Sequence, residues 1–274
     1  MTDLHAETYG TGEAAVFVHG SGSWGEETFG AQRALADEFR VILIDRCGYG
    51  QSPAVGPIGW PTDAGIVTDL LTGLGSAHLV GHSTGGTVAL LAAAHVPHAV
   101  RSLTVIEPTV WGIADPADSP PECAAADKDL WRRGPRLSAE EFLTALNELA
   151  GVPNAAAVVS RWMAKFTEAD WIGVNAQRNE AWPGDARIDL AALAASRFPK
   201  LAAVGAWDPA IHPQLAGPAA SRQRRALAAE HRALARRINA RLVTFRRSTH
   251  NPMLEEPEVF NALLRDTWRQ AHAD

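Results

Sequence analysis

Six short apolar runs, separated by longer segments, constrain the fold more than any other feature of this sequence. The runs are residues 14–19, 40–45, 77–82, 102–107, 200–205 and 241–245. They are rich in Val, Ile and Leu and do not alternate with polar residues, which is typical of strands buried on both faces of a parallel sheet. Helical patterns follow three of them, at residues 29–39, 63–75 and 86–96. The sequence therefore predicts an α/β fold with a mostly parallel central sheet and helices on both faces.

The alternation of strand and helix stops after Glu107. Residues 110–188 contain no strand pattern, and capping boxes at 138–141 and 167–170 predict helices there. Five of the nine tryptophans lie in this stretch: Trp111, Trp131, Trp162, Trp171 and Trp182. We interpret residues 110–187 as a helical insertion that sits over the sheet of a core formed by residues 1–109 and 188–274. Each tryptophan either lines a binding cavity or only packs the insertion onto the core, and the sequence leaves both roles open.

Composition limits the partners that this chain can have. A length of 274 residues suits one large domain with an insertion, and a formal net charge of -6 argues against nucleic acid as the main partner. The two cysteines, Cys47 and Cys123, form neither a disulfide framework nor a metal site. No apolar run is long enough for a membrane span, and the first residues carry no signal-peptide pattern. We therefore expect a cytoplasmic monomer or homodimer that binds a small-molecule substrate, without nucleic acid, membrane or metal.

A glycine-rich segment after the first strong strand supports one interpretation of the chemistry. Residues 20–25 read GSGSWG, which is a GxGxxG pattern, and Asp45 ends the next strand 20 residues beyond Gly25. Glycines followed by an acid at this distance are the arrangement of a dinucleotide-binding fingerprint, in which the acid binds a ribose hydroxyl. This pattern predicts a nicotinamide or flavin enzyme.

A second glycine-rich segment supports a different chemistry. Residues 81–85 read GHSTG, which fits G-x-S-x-G between a strand and a helix. In that pattern the serine sits on a sharp, strained turn, so that its hydroxyl stands clear of the sheet, and small neighbours let the strand and helix pack closely. The helix that follows offers backbone N–H groups and the positive end of its dipole. This pattern predicts that Ser83 is a nucleophile.

The other parts of a serine hydrolase follow in the chain. Two later apolar runs end close to Asp208 and His250, and the order Ser83, Asp208, His250 is that of an α/β-hydrolase triad. This interpretation also explains the glycines at 20–22, because a loop there would donate a backbone N–H to an oxyanion. The nucleotide interpretation leaves Ser83, Asp208 and His250 unexplained, so we favour the hydrolase.

Five segments of the chain together resemble the α/β-hydrolase fold superfamily: VFVHGSGSWG, DRCGYGQS, GHSTGG, VGAWDP and STHNPMLEEPEVF. They extend from Val16 to Phe260 and are specific for the superfamily but not for a substrate. The resemblance implies that the backbone amides of Ser21 and Thr84 form the oxyanion hole. It also implies that the inserted segment, residues 110–187, is a helical cap, or lid, which follows the sixth strand and covers the active site. Some related enzymes take the acid from the end of the strand before the insertion, which makes Glu107 the alternative to Asp208.

We therefore expect a cofactor-free serine hydrolase, in which Ser83 forms an acyl-enzyme, His250 transfers the protons and Asp208 orients His250. The leading reaction is hydrolysis of an ester or lactone with a sizeable apolar part. The candidate substrate-binding residues are Gly22, Trp24, Trp111, Trp162, Trp182 and Trp207. Carbon–carbon bond hydrolysis and cofactor-free lyase or oxygenase chemistry on the same fold are alternatives. A ligand receptor and a nucleotide-dependent oxidoreductase are further alternatives.

Overall fold

Seven strands form one sheet in the computed structural model, which describes residues 4–212 and 218–271. The strands are β1 Ala6–Tyr9, β2 Glu13–Val18, β3 Phe39–Ile44, β4 Ala77–His82, β5 Val100–Ile106, β6 Lys200–Gly205 and β7 Arg241–Phe245. Their order across the sheet is β1-β3-β2-β4-β5-β6-β7, and only the β1–β3 pair is antiparallel. Each of the six predicted runs coincides with one of the strands β2 to β7, which confirms the mostly parallel sheet. The edge strand β1 was not predicted, because its four residues are partly exposed and carry no apolar run.

Helices connect the strands and continue after β7. They are α1 Gly25–Phe29, α2 Trp60–Leu74, α3 Thr84–His95, α4 Pro121–Arg133, α5 Ala139–Leu149, α6 Ala155–Met163, α7 Glu168–Arg178, α8 Leu190–Ala195, α9 Pro218–Arg237, α10 Pro252–Glu255 and α11 Pro257–Gln270. The single helix expected over residues 29–39 is instead α1 followed by a 3-10 helix, Gly30–Leu35. Gly30, a weak helix former, marks the change between them. None of the described helices is long and apolar enough to cross a membrane.

The inserted segment is helical, as expected. Helices α4 to α7 lie between β5 and β6, and both predicted capping boxes form, at Ser138 with Glu141 and at Thr167 with Asp170. The segment follows the fifth strand of the described chain and not a sixth. Five strands, β1 to β5, precede it in the described chain.

Apolar clusters pack on both faces of the sheet. Successive residues of β4 point to opposite sides, so Leu79 joins one cluster and Val80 the other. The first cluster includes Val67 of α2 together with five residues of α3, whereas the second includes Trp268 of α11. The sheet is therefore covered on both faces, and only the ends of its strands are left to form a site.

Candidate active site

The carboxyl ends of the parallel strands meet at one edge of the sheet, and the predicted catalytic residues lie there. Ser83 follows β4 directly, Glu107 follows β5, and His250 lies a few residues beyond β7. All three line one cavity of about 1400 Å³, between this edge and the inserted helices. In open α/β sheets this edge is where ligands bind.

Ser83 occupies a strained turn between β4 and α3. Its backbone has φ 53° and ψ -121°, a conformation that residues with a side chain rarely adopt. The two flanking glycines are required by close contacts, since a Cβ on Gly81 would lie 2.3 Å from the Gly85 carbonyl oxygen. A Cβ on Gly85 would lie 2.2 Å from the Val18 oxygen. The turn therefore has the backbone geometry that the G-x-S-x-G pattern predicts for a nucleophile.

The Ser83 hydroxyl lies beside the hydroxyl of Thr109. Their hydroxyl oxygens are 3.4 Å apart, and the Thr109 backbone N–H also donates to the Ser83 carbonyl oxygen at 3.1 Å. Among the described residues no hydrogen bond joins Ser83 to His250. Sequence reasoning missed Thr109, which no motif marks.

A buried acid lies beside His250, and it is Glu107. Its Oε2 is 3.6 Å from His250 Nδ1, while Oε1 accepts hydrogen bonds from the Gly205 backbone N–H at 2.8 Å and from the Trp207 indole at 3.3 Å. Burial raises the pKa of Glu107, but the contact with His250 and the nearby His231 outweigh burial, so this pKa lies below its usual value. Glu107 is therefore an ionised group that faces the imidazole.

Asp208, the acid that the sequence favoured, does not contact His250 in the described part of the chain. Its carboxylate accepts from the Ala210 backbone N–H at 2.9 Å, and its carbonyl oxygen accepts from the backbone N–H groups of Ile211 and His212. These bonds are typical of an aspartate that forms a turn before a proline. The geometry thus favours Glu107 over Asp208, which reverses the expected order of preference.

His82, which directly precedes Ser83, contacts the backbone of His250. Its Nε2 lies 3.0 Å from the backbone oxygen of His250, and the two rings are 4.7 Å apart. Burial lowers the pKa of His82 well below its usual value, so the ring is neutral and donates through Nε2. His82 therefore holds the His250 backbone in place.

The two predicted oxyanion-hole residues lie side by side. The hydroxyls of Ser21 and Thr84 are 2.8 Å apart, and Thr84 is the first residue of α3. A Cβ on Gly20 would lie 2.9 Å from the Ser83 Cβ, so the loop after β2 packs directly on the nucleophile turn. This contact explains why the chain carries glycine at position 20.

The predicted substrate-binding residues divide into two groups. Gly22, Trp111, Trp162 and Trp207 line the cavity. Trp24 and Trp182 do not belong to the lining that the structure describes. Trp24 stands at the N-terminus of α1, and the indole of Trp182 is turned toward an acid within the insertion.

That acid is Asp127 of α4, which three tryptophans surround. Its carboxylate accepts from the indole N–H groups of Trp111 and Trp182 at 2.9 Å each and of Trp131 at 3.3 Å. Burial raises the pKa of Asp127, and the three indole hydrogen bonds only partly oppose this shift. Sequence reasoning missed Asp127, because nothing in the sequence separates it from the other acids of the insertion, such as Asp129.

The residues that suggested dinucleotide binding make structural contacts. One oxygen of the Asp45 carboxylate accepts from the Gly25 backbone N–H at 2.9 Å, and the other accepts from the Gln51 backbone N–H at 2.9 Å and lies 3.0 Å from His5 Nδ1. Both carboxylate oxygens of Asp45 are thus already hydrogen-bonded within the protein, and these are the atoms that would have to bind a ribose hydroxyl. The pattern at residues 20–25 is therefore explained by the fold itself.

Two curated relatives match parts of the chain. A pimeloyl-(acyl-carrier protein) methyl ester esterase from Methylococcus capsulatus is 41% identical over 113 residues, which are 41% of this chain and 44% of that protein. A 2-hydroxy-6-oxononadienedioate/2-hydroxy-6-oxononatrienedioate hydrolase from Burkholderia vietnamiensis is 35% identical over 114 residues, which are 38% of this chain and 39% of that protein. The chain thus spans less than half of the length of these relatives.

One solved structure and one protein-family model each match nearly the whole chain. A thermophilic esterase from Thermogutta terrifontis is 26% identical, has a TM-score of 0.68, and covers 98% of this chain and 94% of its own. The model of the alpha/beta hydrolase family matches residues 15–263 of this chain. This match confirms the fold class and the resemblance that the sequence indicated. The chain belongs to the alpha/beta hydrolase family.

Proposed function

We propose that this protein is a serine hydrolase whose triad is Ser83, His250 and Glu107. The observation that carries the proposal is the strained conformation of Ser83, which is held between two glycines that cannot accept a side chain. Strain of this kind persists where the surrounding structure imposes it and is concentrated at active sites. The buried Glu107 carboxylate, 3.6 Å from His250 Nδ1, supplies the acid and His250 supplies the base.

Glu107 determines which ring nitrogen of His250 carries the proton. Because Glu107 faces Nδ1 of His250, the proton of a neutral imidazole stays on Nδ1, and Nε2 remains free as a base. The Ser83 hydroxyl turns from Thr109 toward Nε2, loses its proton to it and attacks the acyl carbon. His250 then gives the proton to the leaving alcohol, and a water molecule activated in the same way releases the acid from the acyl-enzyme.

The negative charge that develops on the acyl oxygen needs donors close to Ser83. We assign this role to the backbone N–H groups of Ser21 and Thr84. Thr84 opens α3, so its amide lies at the positive end of a helix dipole. The contact between the Gly20 loop and the Ser83 turn brings the second amide to the same place.

The cavity supports an ester or lactone with a sizeable apolar part as substrate. Leu143, Leu146 and Val174 of the inserted helices line it, together with Trp111 and Trp162. We propose that residues 110–187 form a lid whose side chains bind the apolar part, over a core of residues 1–109 and 188–274. The esterase names of two proteins that the chain resembles favour ester cleavage.

Carbon–carbon bond hydrolysis is the second candidate reaction. The relative from Burkholderia vietnamiensis is named as a hydrolase of oxononadienedioate compounds. The same triad would serve that reaction, so the two candidates differ in substrate and not in machinery. A panel of aryl and alkyl esters, lactones and vinylogous diketones of increasing bulk separates them by kcat/KM.

Reaction with a fluorophosphonate tests the nucleophile. We expect one covalent adduct on the wild type by intact mass, and none on Ser83→Ala. Ser23→Ala is the matched control, because Ser23 also lines the cavity, and it should keep the adduct. An adduct on Ser83→Ala, or no adduct on folded wild type, would overturn the proposal.

A further inference from the structure

A fully buried cluster of charged side chains lies directly beneath the loop after β2. Arg46 is completely buried, and its Nη1 lies 3.0 Å from Asp63 and 2.5 Å from Glu180. Both carboxylates are buried as well, so two acids share one arginine. Burying a charge costs free energy unless it is paired and hydrogen-bonded, so every member of such a cluster needs a reason to be there.

The cluster holds the peptide group between Gly20 and Ser21. Arg46 Nη2 donates to the Gly20 carbonyl oxygen at 3.3 Å, and His19 Nδ1 lies 2.6 Å from the same oxygen. The Arg46 backbone N–H donates to His19 Nε2 at 2.9 Å, so the neutral ring carries its proton on Nδ1 and donates it to Gly20. Burial, aided by Arg46, lowers the pKa of His19 well below its usual value, which keeps the ring neutral.

Fixing this carbonyl also fixes the amide of Ser21. A trans peptide group is planar, with its C=O and N–H on opposite sides, and no cis peptide bond occurs in the described chain. The two donors on the Gly20 oxygen therefore set the direction of the Ser21 N–H, which is the proposed oxyanion donor. A preorganised donor stabilises developing charge without a cost of reorientation at the moment of reaction.

Glu180 holds the same loop through the Ser21 side chain. Its Oε2 accepts from the Ser21 hydroxyl at 2.5 Å and from the Tyr49 hydroxyl at 2.9 Å. Since Ser21 has one hydroxyl proton and gives it to Glu180, the Thr84 hydroxyl must donate to Ser21 Oγ. The hydroxyls of Ser21 and Thr84 are thus both engaged as hydrogen-bond donors. Because the Glu180 carboxylate can only accept, it sets the direction of this series: Thr84 donates to Ser21, and Ser21 donates to Glu180.

Glu180 is supplied by the inserted segment, just after α7, and its backbone is anchored on the core. A Cβ on Gly59 would lie 2.6 Å from Glu180 Cγ, and the Ala181 backbone N–H donates to the Ile58 carbonyl oxygen at 3.0 Å. This buried carboxylate therefore joins the insertion to the oxyanion loop, in addition to the packing of α7 on Gly22.

We infer that Glu180 is a positioning residue, which links the inserted helices to the oxyanion hole by holding Ser21 and Arg46. This inference rests on the proposed serine-hydrolase function. It explains why a second acid is buried beside an arginine that Asp63 already neutralises. It also assigns the insertion a role in the chemical step in addition to substrate binding.

Substitution of Glu180 tests the inference. Glu180→Ala should lower kcat by about 10- to 100-fold, with a change in KM below about threefold, because only transition-state stabilisation is lost. Affinity for a boronic acid, which reacts with Ser83 to form a tetrahedral adduct, should fall by the same factor as kcat/KM. Glu180→Gln keeps an oxygen acceptor for Ser21 and should recover most of kcat. The control, Glu168→Ala, alters an exposed acid at the start of α7 and should change nothing.

A second variant covers the case in which Glu180→Ala does not fold. Ser21→Ala keeps the backbone amide and leaves the buried charges in place, and we expect a loss of boronic-acid affinity close to that of Glu180→Ala. Where both variants fold, their double mutant should lose little more than either alone, because they break the same link. Unchanged kcat and boronic-acid affinity in Ser21→Ala, or in folded Glu180→Ala, would overturn the inference while wild type still reacts at Ser83. Failure of wild type to react with fluorophosphonate would instead contradict the proposed function.

Discussion

The floor and the roof of the cavity are built in different ways. The floor, the turns that follow β2, β4, β5 and β7, is shaped by the backbone, with Ser83 and Glu107 both at positive φ. The roof, helices α4 to α7, depends on side-chain hydrogen bonds, such as those that converge on Asp127. Changes in the floor should therefore abolish the reaction or the fold. Changes in the roof should alter stability and substrate binding by smaller amounts.

The largest expected effect is on the chemical step. Ser83→Ala and His250→Ala should each lower kcat by roughly 10⁴- to 10⁶-fold, because they remove the nucleophile and the base. Their melting temperatures should stay close to that of wild type. Steady-state kinetics with the ester of the panel that has the highest kcat/KM measures the loss of kcat. A folded Ser83→Ala that keeps activity within tenfold of wild type would show that the reaction does not use Ser83 as its nucleophile.

The next effect is on the fold of the floor. Gly85→Ala should destabilise the protein by about 3 kcal/mol or more, because the new Cβ would meet the Val18 and His19 carbonyl oxygens at 2.2 and 2.3 Å. Urea unfolding measures the change. Gly73→Ala in α2 is the matched control, since its Cβ would meet no atom within 4 Å, and it should be neutral or slightly stabilising. Equal stabilities for the two variants would show that the turn does not need glycine.

A smaller effect is expected in the roof, at Asp127. In Asp127→Asn the side-chain amide has only one oxygen for three indole donors, so one buried N–H loses its acceptor. We expect a loss of about 1–3 kcal/mol in unfolding free energy at pH 7.

The pH dependence of this loss has a defined sign. The native pKa of Asp127 is raised above the ordinary 3.8, so the folded state binds the proton more tightly and wild type gains stability as the pH falls through the native value toward 3.8. Asp127→Asn lacks this gain, and its deficit should therefore grow on acidification. Urea unfolding at several pH values would contradict the account if the deficit shrank.

The smallest effect should come from the lining of the roof. Trp162 is 49% exposed and lines the cavity, so Trp162→Ala should raise KM for a bulky ester by about five- to tenfold, with kcat nearly unchanged. Trp171→Ala is the control, because Trp171 packs on Phe166 and is not part of the described lining. A greater KM change for Trp171→Ala would place the substrate elsewhere.

The floor was also the easier region to predict from the sequence. Strands β2 to β7 are continuous apolar runs, and the turn at Ser83 needs glycines at two fixed positions, so both leave a local pattern. His250 lies, as expected, beyond β7 at the same edge. The edge strand β1 left no pattern, because it is short and partly exposed.

The contacts that sequence could not resolve join residues far apart in the chain. Choosing between Glu107 and Asp208 requires knowing how far each side chain reaches from neighbouring strand ends. Chain order alone favoured Asp208, whereas the structure places Glu107 beside His250. Glu180 is more than 130 positions from Arg46, and no motif marks either as part of a pair. Such pairs depend on how the insertion packs on the core, which local periodicity does not encode.

The most direct test compares the two candidate acids of the floor. The measurement is the rate of acylation of Ser83 by one ester, in Glu107→Gln and in Asp208→Asn. We predict that Glu107→Gln slows acylation by about 10³- to 10⁴-fold, because His250 loses the charge that fixes its tautomer, and that Asp208→Asn stays within about threefold of wild type. A large loss in Asp208→Asn together with a small one in Glu107→Gln would contradict the account.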